Sequence, residues 1–97
     1  MATYIALSRF TDQGIRSVKD TTKRAAAVQE AASKFGASLS QIYWTLGQYD
    51  LVTVIDAADE KSATAFALAI STAGNIRMET MRAFNREEMT EILGRVP

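Results

Sequence analysis

Apolar residues along this chain follow two spacings, a tight alternation in short runs and a helical repeat in a longer one. Residues 3–10 form a short run rich in β-branched and aromatic side chains, which predicts a strand. In residues 15–35 the apolar positions lie three, four or seven residues apart, as on one face of a helix. The polar cluster at residues 20–22 competes for backbone hydrogen bonds, so we expect a short turn and then a longer helix that ends at Gly36.

The middle of the chain predicts a β-hairpin. Residues 38–46 alternate, which places even-numbered residues such as Trp44 on one side of the strand and odd-numbered residues such as Leu39 on the other. A second strand is predicted at residues 49–56. The break between the two strands is short, and Gly47 can adopt the positive φ that tight hairpin turns need.

The remaining third of the chain predicts a helix, a strand and a last short helix. Asp59 or Ser62 can cap the first helix, and residues 76–84 read as a fourth strand. Asn85 and Glu88 lie three residues apart, in a close relative of the capping box, and open the terminal helix.

This order of elements predicts an α+β domain of the split βαβ kind over residues 1–97. Right-handed crossovers place both long helices on the same face of a four-stranded antiparallel sheet. The short C-terminal helix is too small to cover the other face, which is therefore left open.

That open face is predicted to be apolar. Residues 51–55 are apolar on both sides of their strand, whereas a sheet that is wet on one side should alternate between apolar and polar residues. The first strand likewise carries Tyr4 and Ala6 on one side and Ile5 and Leu7 on the other. We therefore expect a homodimer packed sheet to sheet, with a larger assembly left open. The alternative is a monomer with scattered apolar residues on its surface.

Composition narrows the chemistry that the chain can carry. Its 97 residues include eleven basic and eleven acidic side chains, and this neutrality gives no electrostatic footprint for nucleic acid. The absence of cysteine and histidine excludes disulfides, thiolate metal sites and Ser-His or Cys-His nucleophiles. Catalysis would have to use carboxylates, Tyr, Lys, Arg or a bound cofactor, and we predict no metal and no cofactor.

Membrane association is not expected either. Residues 1–10 lack the basic region and the long apolar run of a signal peptide. No apolar stretch approaches the roughly 18 residues that cross a bilayer. The predicted location is cytoplasmic.

A short motif and a longer segment resemble a known family. The motif is Gly47-Gln48-Tyr49-Asp50, and the segment is Tyr-Ile-Ala-Leu-Ser-Arg-Phe-Thr-Asp-Gln-Gly-Ile-Arg-Ser-Val-Lys-Asp at residues 4–20. With a later strand that ends in Ile-Asp-Ala, the chain resembles the GYD domain family over nearly its full length. The resemblance implies a ferredoxin-like fold whose sheets pair into a dimeric α/β barrel, and it implies little about activity. Similar turns occur in the effector-binding domains of Lrp/AsnC regulators.

The turn residues Gly47, Tyr49 and Asp50 are the first candidate site. In the structural interpretation Gly47 permits the turn, Tyr49 packs its ring at the sheet edge and Asp50 accepts backbone N–H groups or an Arg. In the functional interpretation Tyr49 and Asp50 form the polar lip of a ligand pocket.

Trp44 and the charged strand residues are further candidates. Trp44 is most simply core or dimer interface, and stacking on a ligand is the alternative. Arg9 and Arg82, with Arg77 and Glu79, lie within predicted strands, where they could line a barrel and meet an anionic ligand. Alternatively, the fourth strand is an edge strand whose charges deter aggregation.

Three functions are compatible with these residues. The first is a non-catalytic homodimeric module that binds a small-molecule ligand or serves in assembly. The second is a cofactor-independent enzyme, similar to the isomerases and monooxygenases on dimeric α/β barrels, which would use Tyr43, Tyr49, Asp50 and Arg82. The third is a stand-alone effector domain of the Lrp/AsnC type.

Overall fold

The computed structural model describes residues 1–97 and contains one sheet with helices on one side. The strands are β1 (Ala2–Phe10), β2 (Ala37–Trp44), β3 (Leu51–Ala57) and β4 (Ile76–Ala83). The α-helices are α1 (Asp12–Arg16), α2 (Thr21–Ala31), α3 (Glu60–Thr72) and α4 (Arg86–Leu93). Two 3₁₀ segments, Val18–Asp20 and Ala32–Phe35, flank α2.

The sheet has the strand order β2-β3-β1-β4, and every neighbouring pair is antiparallel. With both crossover helices on one face, this is the ferredoxin-like α+β fold that the sequence predicts. β2 and β4 are the edge strands, so the charges predicted for the fourth strand do lie at a sheet edge.

The helix boundaries follow the local chemistry of the chain. Thr11 caps α1, its hydroxyl accepting the N–H of Gly14 at 3.1 Å, and Asp59 caps α3 by accepting the N–H of Ser62 at 2.8 Å. The stretch between Thr11 and Gly36 is divided near residues 20–22, as predicted, and it ends where Gly36 adopts a φ of 69°. Such a left-handed residue satisfies the last carbonyls of a helix.

A β-bulge interrupts β2, so this strand does not alternate strictly as predicted. Leu39 pairs with Ile55 and Gln41 pairs with Val54, so Ser40 is the extra residue. Because one inserted residue reverses the side-chain alternation, Leu39 lies on the same face as Ile42 and Trp44. The prediction that Leu39 and Trp44 lie on opposite faces is therefore wrong.

The core lies between the helices and one face of the sheet. Tyr4, Ala6 and Ile55 are buried on this face and form one core cluster with Phe66 of α3. The ring of Phe66 also contacts the ring of Phe35, and the two ring centroids are 5.7 Å apart. Two buried side-chain oxygens, Tyr4 Oη and Thr53 Oγ1, have no hydrogen-bond partner. No helix has both the length and the apolar character needed to span a bilayer.

Candidate functional site

The open face of the sheet, defined here as Ile5, Leu7, Val52, Val54 and Met81, is apolar at its centre. Leu7 lies opposite Val52, and Ile5 lies between Val54 on β3 and Met81 on β4. The first four are half-buried by their neighbours in the sheet, and Met81 is 43% exposed. α2 and α3 pack on the other face, and α4 makes few contacts with the sheet, so no helix of the chain covers this apolar surface.

Charges of both signs frame the open face. At one end Arg9 of β1 lies opposite Arg77 of β4, next to Glu79. At the other end Asp56 accepts a hydrogen bond from the hydroxyl of Thr3 at 2.8 Å. An apolar centre with a mixed-charge rim is the general anatomy of a protein interface.

The predicted G-x-Y-D turn closes the hairpin at the end of this face where Arg9 and Arg77 lie. The amide of Thr45 donates to the carbonyl of Asp50 at 2.8 Å, and its hydroxyl donates to the carbonyl of Tyr49 at 2.6 Å. Gly47 adopts a φ of 127°, a backbone conformation that residues with a Cβ rarely take. β3 begins at Leu51, so Tyr49 and Asp50 belong to the turn and not to the strand predicted at residues 49–56.

Asp50 joins this turn to β1. Its Oδ2 accepts the backbone N–H of Phe10 at 2.9 Å, and its own N–H donates to the carbonyl of Ser8 at 2.8 Å. Arg9 lies between these residues and donates from Nε to the carbonyl of Gln48 at 3.0 Å. The carboxylate of Asp50 thus continues the hydrogen bonding of β1 after the backbone of β3 has turned away.

Tyr49 spans the open face from the turn to β4. Its hydroxyl donates to Oε2 of Glu79 at 2.7 Å, and the guanidinium carbon of Arg9 lies 4.8 Å from its ring centroid. The hydrogen bond to Glu79 is the main reason that the pKa of Tyr49 is raised above 10.0, with desolvation and the charge of Glu79 adding to it. A tyrosine is protonated near neutral pH in any case, and the contact with Glu79 holds its hydroxyl further from ionisation as a hydrogen-bond donor.

Arg82 lies on the helix-bearing face, away from this cluster. Its guanidinium contacts the ring of Phe84 at 4.6 Å and forms an ion pair with Glu88 of α4 at 3.1 Å. The N–H of Asn85 and, secondarily, Arg82 hold the pKa of Glu88 below its usual value. These contacts position the start of α4.

Trp44 is also separate from the turn cluster. It lies on the helix-bearing face and is 43% exposed, and its indole N–H donates to the hydroxyl of Thr21 at 3.0 Å. The interpretation of Trp44 as a core residue is therefore wrong, and its place in a dimer interface stays a prediction. The structure brings together Arg9, Tyr49 and Asp50, and it does not bring Trp44 or Arg82 to them. Ligand binding by any of these five residues stays a prediction.

Two features of the structure were not predicted from the sequence. Glu79 is the partner of Tyr49, although 30 positions separate them. A pocket of about 270 Å³ opens on the helix side of the sheet, with the hydroxyl residues Ser8 and Thr53 among its lining. The available signal was the presence of small hydroxyl residues at inward-facing positions of two apolar strands, beside the alanine-rich segment of α2.

Comparison with known proteins places this architecture in a family. The GYD domain family model matches residues 4–93. The chain belongs to the GYD domain family. This confirms the resemblance seen in residues 4–20 and in the G-x-Y-D turn.

One relative and two solved structures are similar to this GYD domain. The relative, from Thermus thermophilus, is named "Glutamine synthetase and cystathionine beta-lyase binding protein". It is 32% identical to this chain over 84 residues, which are 86% of this chain and 88% of the relative. The crystal structure of an FFRP protein aligns with a TM-score of 0.61 and 22% identity over 87% of this chain and 100% of that one. The crystal structure of TTHA0845, also from Thermus thermophilus, aligns with a TM-score of 0.57 and 24% identity over 88% and 95%. At these identities the two structures support the fold alone.

Proposed function

We propose that this GYD domain is a non-catalytic binding module that works as a homodimer, with the open faces of two copies packed against each other. The observation that carries the proposal is the uncovered apolar centre formed by Ile5, Leu7, Val52, Val54 and Met81. Contiguous apolar surface of this kind is normally covered by another polypeptide.

The charges of the open face suit a second copy of the same chain. In a two-fold symmetric dimer each surface patch meets itself, so a patch of one sign would repel its mate. Here Arg9 and Arg77 share the face with Glu79 and Asp56, and the chain has no net charge. Opposite charges can therefore meet around the apolar centre.

The small core gives a second reason for dimerisation. Only 13 of the 97 residues are buried in the single chain. A chain of this length buries a limited fraction of its apolar surface on folding. Association through the open face would add apolar burial, which stabilises the fold by about 25 cal/mol per Å².

The binding role extends to protein partners through the relative. That protein is named for binding two enzymes, and the likeness supports an enzyme as the partner of this GYD domain. A catalytic role has less support, because the carboxylate of Asp50 is paired with the backbone of Phe10 and the hydroxyl of Tyr49 is paired with Glu79. We place the module in the cytoplasm and treat residues 1–97 as one domain.

The mass of the purified chain in light scattering tests the dimer. The wild type should have twice the 10.6 kDa mass of one chain at micromolar concentration. Leu7→Glu introduces a charge at the centre of the open face and should give a folded monomer. Leu68→Glu is the matched control, since Leu68 is 63% exposed on α3, and it should stay dimeric. A wild-type monomer, or a Leu7→Glu variant that stays dimeric, would overturn the proposal.

Binding to an enzyme is tested separately by calorimetry with purified glutamine synthetase from the same host. The dimer should bind it, and the Leu7→Glu monomer should bind it more weakly. If the wild type does not bind, the extension to this enzyme is wrong, whereas the dimer is judged by its mass alone.

A further inference from the structure

The pocket on the helix side of the sheet has its origin in the composition of α2. This helix lines the pocket with Ala25, Ala27 and Val28, whose short side chains leave the sheet below uncovered. α3 approaches the 3₁₀ segment Ala32–Phe35, where Phe35 and Phe66 fill the space between the layers. Farther along, toward Ile70 of α3 and Ala73 just after the helix, no large side chain fills this space, and a pocket of about 270 Å³ remains.

Two buried residues with hydroxyl side chains lie on the sheet side of this pocket. Ser8 of β1 and Thr53 of β3 are diagonal neighbours on the helix-bearing face, because Ser8 pairs with Leu51 and Thr53 pairs with Ala6. Ser8 is 1% exposed and Thr53 is 8% exposed. Oγ1 of Thr53 has no hydrogen-bond partner. This oxygen is fully buried, so a molecule in the pocket would contact other atoms of Thr53 and not its hydroxyl.

The charges around the pocket indicate that its ligand is neutral. No carboxylate lines it, and its one cationic residue is Arg24. The guanidinium of Arg24 already donates to the carbonyl and hydroxyl of Ser17, at 2.8 and 3.1 Å, and to the carbonyl of Gly14 at 3.4 Å. These bonds hold Arg24 against the end of α1, and the remaining lining is mostly apolar.

We propose that this pocket binds a small, uncharged, largely apolar molecule through contacts with its apolar lining. An engineered apolar cavity of about 150 Å³ holds benzene. A pocket of about 270 Å³ therefore has room for a molecule the size of a bicyclic aromatic. Apolar walls with one or two placed polar groups are the usual composition of a small-molecule site.

This site is independent of the proposed dimer. The pocket and the open face lie on opposite sides of the sheet, so the two proposals can fail separately. Loss of pocket binding would leave the mass of the assembly unchanged.

Indole and its isostere indene test the pocket, because they match in size and only indole carries an N–H donor. Each is titrated into the ¹⁵N-labelled chain, and amide shifts are followed. Both should perturb the amides of Thr53, Val28 and Ile70. Indene should bind at least as tightly as indole, because the lining is mostly apolar and burial of the indole N–H without a partner costs free energy.

Two variants and one control locate the binding. Thr53→Val keeps the shape and removes a hydroxyl that a molecule in the pocket does not reach, so both probes should bind it as they bind the wild type. Ala25→Leu should fill the pocket and weaken both probes at least tenfold. Ala26→Leu, at an exposed position of α2 that does not line the pocket, should bind both as the wild type does.

Folding of the variants is checked by circular dichroism and by light scattering. Thr53→Val removes an unpartnered buried hydroxyl and should be at least as stable as the wild type. The proposal is overturned if neither probe shifts these amides up to its solubility limit. It is also overturned if Ala25→Leu binds both probes as the wild type does.

Discussion

Tyr49 donates a hydrogen bond to Glu79 over 2.7 Å, and this contact connects the hairpin turn to the edge strand β4 across β1. The G-x-Y-D turn is therefore attached to the sheet at three points. Asp50 holds the backbone of β1 at Phe10, Arg9 holds the carbonyl of Gln48, and Tyr49 reaches Glu79. The Tyr-Asp pair thus fixes the turn against two strands that are distant in the sequence.

The titration of Tyr49 reports on the contact with Glu79. Because the hydrogen bond and charge of Glu79 raise the pKa of Tyr49, Glu79→Ala should lower that pKa toward 10.0. The measurement is the ultraviolet absorbance of phenolate, compared with Tyr49→Phe to assign the signal. An unchanged Tyr49 titration in Glu79→Ala would show that the contact is not made in solution.

Asp50 should matter for stability. Asp50→Ala leaves the N–H of Phe10 without its acceptor, which should cost about 1–3 kcal/mol in the free energy of unfolding. Urea denaturation monitored by circular dichroism measures this loss. Asp20→Ala is the matched control, because Asp20 precedes α2 without making a side-chain cap hydrogen bond. If both variants unfold at the same urea concentration, the role given to Asp50 in the turn is wrong.

Acid should weaken the attachment of α4 through Glu88. Its pKa is lowered in the folded chain, first by the N–H of Asn85 and then by Arg82, so the folded state binds the proton less tightly than the unfolded state does. The stabilisation is therefore complete above the unfolded pKa of about 4.3 and is lost as the pH falls through the lower folded pKa. Asp59 shifts in the same direction at the start of α3 and adds to the loss.

Thermal unfolding of Glu88→Gln across pH separates these contributions. The variant should be less stable than the wild type at neutral pH, and the difference should shrink below about pH 4 as Glu88 of the wild type becomes protonated. Glu91→Gln is the control. Glu91 is 75% exposed and forms an ion pair with Arg95 at 3.9 Å, and such exposed ion pairs contribute little to stability. A stability difference for Glu88→Gln that does not depend on pH would contradict the assignment.

Features that depend on neighbouring residues in the chain were predictable from the sequence. The division of the first helical stretch follows from the polar residues 20–22, and the capping box at Asn85 and Glu88 follows from their spacing. The apolar character of both sheet faces was visible because residues 51–55 do not alternate. In each case the signal lies within a few residues of the structure that it specifies.

Features that depend on distant parts of the chain were not predictable in the same way. The bulge at Ser40 reverses the alternation of β2, and only pairing with β3 reveals which residue is extra. Trp44 consequently faces α2 and not the core or the open face. The contact of Tyr49 with Glu79 and the pocket beside Thr53 both require the packed tertiary structure. A single sequence carries no local pattern for them.

Methionine oxidation by peroxide tests most directly whether a second copy covers the open face. In the single chain Met81 on this face is 43% exposed and Met89 on α4 is 45% exposed, so the two side chains should react alike if the face is free. The account predicts that mass spectrometry of the wild type shows Met81 oxidised several-fold more slowly than Met89, and that the two rates become similar in Leu7→Glu. Equal oxidation of Met81 and Met89 in the wild type would contradict it.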